Sequence, residues 1–335
     1  MNVFVTGHLG YIGVHLVKQL KDLGHQVTGC DIDLFEGCEF EPFTRPDKEL
    51  IKDIRDLTPE ELSGHDCVMH LAAISNDPMG DLDEQITYDV NLKGSVELAR
   101  LAKQAGVKRF LFSGSCSVYG KGDKLDLSET DPLNPVSAYA VSKIEAEKQI
   151  SLMADDDFTP VYLRNATAYG YSPMLRIDLV VNNLLGCAHS KGEIRIMSDG
   201  SPWRPLIHCS DIAKAFVHLM MANKELVFNK AINIGDNREN YQVKDVADYV
   251  QELMPSALIK FTGEVGDDPR NYRVNFDLLN TLVPDFKLDY TLRSGMDELY
   301  KKYIANGFNQ DDFDGDKYVR LRKLKHTINK IKAEA

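Results

Sequence analysis

The chain has 335 residues, enough for about two domains with substantial cores. Its 51 acidic against 39 basic side chains leave a net charge of −12, which argues against nucleic acid as a main partner, since a phosphate backbone calls for a basic face. Six cysteines with no C-x-x-C pair read as the reduced thiols of a cytoplasmic protein. No leader-like segment opens the chain and no apolar run approaches about eighteen residues, so no membrane partner is expected.

The run Val3-Phe4-Val5 predicts a strand over 2–6 that leads into Thr6-Gly7-His8-Leu9-Gly10-Tyr11-Ile12-Gly13 and a helix over 11–23. Such a turn suits a dinucleotide. Gly7 supplies the tight bend, Gly10 lets the backbone approach a pyrophosphate, Gly13 lets helix pack on strand, and the stretch from Leu9 through Tyr11 and Ile12 offers N–H groups to the anion. Taken alone, G-x-x-G-x-x-G also fits a plain glycine-rich turn. The next strand, 26–31, ends in Asp31, where a carboxylate can accept both adenosine ribose hydroxyls. That favours NAD over NADP, because a 2′-phosphate would meet a like charge and no Arg or Lys follows within Ile32 to Glu36. A strand-end turn residue is the plainer alternative for Asp31.

Strands at 66–71, 109–113 and 159–163 alternate with helices at 84–105 and 137–154, the pattern of an α/β fold whose doubly wound parallel sheet is covered on both faces. Val90, Val96, Leu98, Ala99, Leu101 and Ala102 line much of the circumference of the 84–105 helix. A helix wetted on one side does not need that, so a second subunit, hence a homodimer, is expected there. Past about residue 170 the alternation gives way to loops rich in Pro, Gly and Asp, with helices at 178–190, 210–222 and 242–253. Ala231-Ile232-Asn233-Ile234-Gly235 returns a strand to the main sheet, so the lobes interleave. The expected division is 1–170 for the dinucleotide domain, 171–305 for a smaller substrate lobe and 306–335 for a basic tail. From Lys317 to Lys332 basic side chains run without an acid, which favours a solvated helix face over a lipid or nucleic-acid contact.

Tyr139-Ala140-Val141-Ser142-Lys143 places a phenol and an ammonium at i and i+4 on one helix face. A free phenol, with a pKa of about 10, is a poor base. An ammonium about 5 Å away at an effective dielectric of about 20 favours the phenolate by roughly 3 kcal/mol, which makes Tyr139 a proton acceptor for an alcohol. Y-x-x-x-K is also frequent by chance, as a half-buried tyrosine beside a surface lysine. Context decides between them. Phe110-Leu111-Phe112 runs into Ser113-Gly114-Ser115-Cys116-Ser117, at the strand end where an open parallel sheet holds its ligands, and Ser115 can hydrogen-bond the oxygen that Tyr139 deprotonates.

With the glycine turn, Asp31, Ser115, Tyr139 and Lys143 together, the chain resembles the extended short-chain dehydrogenase/reductase family, in particular its NAD-dependent nucleotide-sugar epimerases and dehydratases, over nearly its whole length. The resemblance implies a Rossmann fold, an NAD cofactor and a nucleotide-diphosphate sugar as substrate. It implies adenine contacts at Asp53 and Ile54, a nicotinamide-ribose wall at Leu71, Ala72 and Ala73, a cofactor contact at Ser113, and Asn91 as the residue that steadies the active-site lysine. Ser75, Asn76 and Ser117 would face the sugar, and Asn183, Arg204 and Arg270 the diphosphate. Arginine forks suit phosphate oxygens, although an ordinary surface ion pair is the alternative for either one. Arg176 either enters the sugar pocket or pairs with Asp178.

Two departures narrow the reaction. Sugar 4,6-dehydratases carry Asp and Glu after the catalytic Ser/Thr, whereas Cys116 and Ser117 stand here, which disfavours the usual dehydratase and leans toward a 4-epimerase. An activated Cys116 would be the acid or base of an unusual elimination; otherwise it is a small apolar filler. Thr167 stands where many epimerases have asparagine. The implied chemistry is oxidation at C4 of the sugar and return of the hydride to the opposite face. Elimination or net oxidation would share the first step. A protein that binds NAD(H) without turnover would have no use for Ser115, Tyr139 and Lys143 together.

Overall fold

The structure, a computed structural model, describes residues 1–75, 77–80, 82–121, 126–262 and 270–326. Its strands are β1 (Asn2–Thr6), β2 (Gln26–Asp31), β3 (Lys48–Ile51), β4 (Cys67–His70), β5 (Arg109–Ser115) and β6 (Thr159–Asn165). They continue with β7 (Thr167–Tyr169), β8 (Glu193–Ile196), β9 (Trp203–His208), β10 (Lys230–Ile234), β11 (Asn240–Gln242) and β12 (Leu258–Phe261). The longer helices are α1 (Gly13–Asp22), α2 (Ser95–Gln104), α3 (Ala138–Ser151), α4 (Val180–Lys191), α5 (Cys209–Met221), α6 (Val243–Leu253) and α7 (Leu292–Ala305).

Seven strands form one parallel sheet in the order β10-β6-β5-β4-β1-β2-β3. Every residue of β4 and β6 is buried, as a sheet covered on both faces requires. Along β1 the side chains alternate: Val3 and Val5 join one core with Leu16, Leu20, Met69 and Phe216, while Phe4 joins the opposite one with Leu98, Phe110, Phe112 and Ile150. The chain leaves β1 toward β2 on one side and β4 toward β5 on the other. This reversal opens a crevice at the carboxyl ends of β1 and β4, which is where such sheets hold ligands. A third core, with Leu175, Leu184, Ile194, Leu206, Leu299 and Tyr303, belongs to the second lobe. No helix among the described residues is long and apolar enough to cross a membrane.

The expected strands and helices are present, including the return of 230–234 to the main sheet, and the departures have physical causes. The 84–105 helix is three pieces, a short α-turn at Glu84–Thr87, a π-helical stretch at Tyr88–Gly94, then α2. β3 escaped the periodicity because Lys48 and Glu49 break any apolar alternation on this edge strand, and β9 because Pro205 argues against a strand. Leu98, Ala99, Leu101 and Ala102 are 0–6% exposed within a single chain, while Lys93, Glu97, Arg100 and Gln104 point outward. The apolar character of α2 is therefore consumed inside the chain, and the expectation of a second subunit loses that support. The solvated-face expectation for the basic run holds at Lys317, Arg322 and Lys325, which are exposed, and fails at Arg320. Tyr318 and Arg320 are buried, with the Tyr318 ring 5.5 Å from that of Phe40, because aromatic packing draws this part of the chain onto the second lobe. Residues 327–332 of that run lie outside the described residues.

Candidate active site

The turn after β1 leaves no room for side chains at two of its glycines. Gly7 has φ +73°, and a Cβ there would lie 2.6 Å from the Ala72 nitrogen; a Cβ on Gly13 would lie 2.1 Å from the Gly7 oxygen. Gly10 meets only the Gly7 oxygen, at 3.1 Å, so its outer side is open to a ligand. No side chain caps α1, and the N–H groups of Tyr11 and Ile12 take no partner among the described residues. These are orphan donors at a helix N-terminus, the arrangement that binds an anion. Asp31 is fixed beside them, accepting from the Leu9 nitrogen at 3.1 Å on Oδ2 and from the Asp33 nitrogen at 3.1 Å on Oδ1. Each oxygen keeps a lone pair for a ribose hydroxyl. The residues present thus fit a dinucleotide.

The Tyr11 side chain does something the sequence did not disclose. Its hydroxyl donates to the Gly170 oxygen at 2.6 Å and tethers the turn to the second lobe. Asn182, fully buried, completes this tether: its Oδ1 accepts from the Gly170 nitrogen at 2.8 Å, and its Nδ2 donates to the Tyr11 hydroxyl at 3.2 Å and the Arg176 carbonyl at 2.8 Å. The neighbouring Asn183, the residue singled out from the sequence, donates to the Ile177 carbonyl at 3.1 Å. Two adjacent asparagines carry no sequence signal that separates them; burial does.

Around the crevice, Asp53 caps the 3-10 turn Ile54–Asp56 and forks onto Arg55 at 3.0 and 2.7 Å, which holds its carboxyl below the ordinary range; Ile54 is buried. Leu71, Ala72 and Ala73 follow β4, and the Ala72 nitrogen donates to Thr6 Oγ1 at 3.3 Å. Behind them runs a buried chain of hydrogen bonds, from Thr6 Oγ1 to His70 Nδ1 at 2.7 Å, His70 Nε2 to Ser95 Oγ at 2.8 Å, and Ser95 Oγ to the Asn91 carbonyl at 2.6 Å. Burial, reinforced by the Lys143 charge, pushes His70 down to about 3, so its imidazole is neutral. Asn91 binds the loop after β4. Its Oδ1 accepts from the Ile74 nitrogen at 2.8 Å and its Nδ2 donates to the Ile74 carbonyl at 3.0 Å, so its amide clips that loop.

α3 packs against β5 and the 3-10 turn Cys116–Tyr119, which brings Tyr139 and Lys143 to the strand end that carries Ser113 and Ser115. Lys143 is 3% exposed, with its Nζ 4.7 Å from the centre of the Phe112 ring and 5.8 Å from that of Tyr139. Burial pushes its pKa down to about 7, and no carboxylate pairs with it among the described residues. Ser115 Oγ accepts from the Ser117 nitrogen at 3.1 Å, which leaves its proton available to a ligand. Ser113 Oγ accepts from Asn165 Nδ2 at 3.1 Å, while Asn165 Oδ1 and Ser117 Oγ are buried without a partner among the described residues.

Cys116 sits in surroundings that keep its thiol protonated. It is 1% exposed in the main core, its Sγ donates to the Arg164 carbonyl at 3.1 Å, and burial pushes the thiol far above its ordinary range. An activated thiol needs the opposite surroundings. Cys116→Ala is expected to keep turnover within about twofold of the parent while costing about 1 kcal/mol in stability. Steady-state rates and a urea melt check both, and a collapse of turnover with the fold intact would restore Cys116 to the chemistry.

From the second lobe, Arg176 forks onto Asp178 (Nε–Oδ1 3.0 Å, Nη2–Oδ2 2.8 Å) and donates to Ser75 Oγ at 3.2 Å, at 6% exposure. Burial works against its charge, but Asp178 outweighs it and the Tyr11 and Tyr139 phenols lie within its field, so the guanidinium stays ionised. Of the two alternatives read for Arg176, the pairing with Asp178 is present. Arg204 Nη1 donates to the Arg270 carbonyl at 2.6 Å and to the Trp203 carbonyl at 2.8 Å, so these two arginines are drawn together on the second lobe. Asn76 lies outside the described residues.

A model of the NAD dependent epimerase/dehydratase family matches residues 3–235. A UDP-glucose 4-epimerase of Lactobacillus helveticus is 31% identical over 257 residues, covering 68% of this chain and 76% of that protein. Among solved structures, MoeE5 in complex with UDP-glucose and NAD aligns with a TM-score of 0.77 at 26% identity over 91% of this chain and 99% of that one. TunA, an NAD-dependent NDP-hexosamine 5,6-dehydratase involved in tunicamycin biosynthesis, shares the fold with a TM-score of 0.82 at 23% identity, over 93% and 99% of the two chains.

Proposed function

The chain belongs to the NAD-dependent epimerase/dehydratase family, with NAD as cofactor, and on that footing we propose that it inverts C4 of a nucleotide-linked sugar through transient oxidation. When bound, NAD supplies the ring that takes up the C4 hydride and gives it back. Everything else falls to the chain. Tyr139 removes the C4 hydroxyl proton, Ser115 donates its hydrogen to the same oxygen, and Lys143 and Arg176 stabilise the phenolate. The glycine turn and Asp31 hold the dinucleotide. Asn183, Arg204 and Arg270 hold the nucleotide diphosphate, so that binding energy far from C4 keeps the sugar in place while the ketone turns over.

One observation carries this proposal: Lys143 is buried beside Tyr139 with no anion of its own among the described residues. A desolvated ammonium gains the counter-charge it lacks when the phenol ionises. Epimerisation is favoured over elimination by Cys116 and Ser117, which put a protonated thiol and a hydroxyl at the two positions where an elimination needs an acid and a base. The test is incubation with UDP-, GDP-, CDP- and dTDP-hexoses, beginning with UDP-glucose. Inverted C4 in the NMR spectrum at unchanged mass is the expected result. Loss of water would mean elimination, loss of two hydrogens net oxidation, and no change with any sugar would overturn the proposal. We place the protein in the cytoplasm on its six free, buried cysteines, and we infer a homodimer from kinship alone, which light scattering on dilute protein decides.

A further inference from the structure

Buried charges in folded proteins are paired, because an isolated ion taken from water loses several kcal/mol of hydration. Three arginines are buried among the described residues. Arg164 pairs with Glu147 and Arg176 with Asp178, but Arg320 has no acidic partner. It is 3% exposed, its guanidinium carbon sits 4.2 Å from the centre of the Phe35 ring, and its Nη2 donates to the Met174 carbonyl at 3.2 Å. Its Nη1, equally buried, has no hydrogen-bond partner among the described residues. Burial and the neighbouring Arg176 charge lower its pKa to about 10, and Cys38, Asp178 and Asp31 only partly offset them. A guanidinium in this position lacks an anion.

Its location says which anion. Phe35 lies on the loop that follows Asp31, and Met174 precedes Arg176, whose field takes in Tyr139. Arg320 therefore bridges the segment that holds the acid for the adenosine ribose and the segment that faces the phenol. A dinucleotide reaching from one to the other carries its diphosphate between them. Tyr318 anchors this part of the chain against Phe40 and Phe308. We propose that Arg320 is the counter-ion of the cofactor's diphosphate, contributed by the C-terminal segment from the side opposite the glycine turn. The proposal rests on the assignment of NAD as cofactor. The substrate's diphosphate has the same chemistry, so the test separates the two.

Calorimetric titration of the cofactor-stripped parent, Arg320→Gln and Arg320→Met with NAD, ADP-ribose and UDP decides the matter, together with thermal melts of each protein without ligand. Charge-assisted hydrogen bonds of this kind make the expected loss about 10- to 100-fold in affinity for NAD and ADP-ribose, with UDP affinity unchanged. Removing an unpaired buried cation should leave the ligand-free melting temperature equal to the parent's or higher. Unchanged NAD affinity would overturn the proposal, as would a UDP loss as large as the NAD loss, or failure of both variants to fold. A parent that binds no NAD at all would instead remove the cofactor assignment itself, a separate and visible outcome.

Discussion

Tyr139→Phe is expected to bind NAD and nucleotide sugar as the parent does while its turnover falls by about 10²- to 10⁴-fold, the range that a positioned general base contributes. The substitution removes one oxygen. The ring, its place on α3 and the buried Lys143 beside it all remain, so neither fold nor binding should respond. At 5.8 Å from the tyrosine ring, the Lys143 ammonium favours the phenolate by about 3 kcal/mol at an effective dielectric near 20, and the Arg176 field adds to this. Stopped-flow detection of enzyme-bound NADH separates the first half-reaction from release and shows whether the oxidation step is the one lost. Near-parental turnover in the variant would remove Tyr139 from the chemistry and with it the proposed mechanism.

Lys143→Met should stabilise the cofactor-free protein at pH 6, and the gain should fade as the pH rises. The sign follows from where the proton sits. The folded-state pKa is about 7 against 10.5 for an exposed lysine, so below pH 7 the ammonium is present in both states and the folded protein carries the full cost of burying it. Between pH 7 and 10.5 the unfolded chain binds the proton that the folded protein has released, and the parent gains stability with each step upward. Over the whole window the difference between parent and variant should move by an amount on the order of 4 kcal/mol in the parent's favour. Urea melts of both proteins at pH 6, 8 and 10 test this, because the other titrating groups cancel in the comparison. A difference that stays flat with pH would show that Lys143 has a partner for its charge. Turnover should fall in the same variant, since the cation that favours the phenolate is gone.

The features legible from the sequence were those that depend on neighbours in the chain. The strand at Val3-Phe4-Val5, the glycines at 7 and 13 and the acid at Asp31 are a local program, one strand, one turn, one helix, one strand, and the structure returns them in place. The Tyr139–Lys143 pairing is equally local, since helical spacing alone puts i and i+4 on one face. Illegible were the features that depend on what a distant segment lays over a side chain. The sequence does not show that the Asn91 amide clips Ile74, and Asn182 and Asn183 are indistinguishable until one of them is buried between Tyr11 and Gly170. Within the basic run at 317–332, the burial of Arg320 was illegible because a string of letters does not reveal that its neighbour Tyr318 has an aromatic cleft to fill.

The sequence by itself determined the parallel sheet, the cofactor turn and the placing of Tyr139 and Lys143 on one helix face, because periodicity and short-range spacing are set by backbone geometry that every chain shares. Only the tertiary structure decided which of the remaining polar groups carry charge and where. Cys116 is buried with its thiol pushed toward the protonated form, Lys143 is desolvated, and Arg176 and Arg320 are drawn to the same region from segments more than a hundred residues apart in the chain. Ionisation depends on local water and on nearby charges, and both are fixed only when remote parts of the chain close over the site.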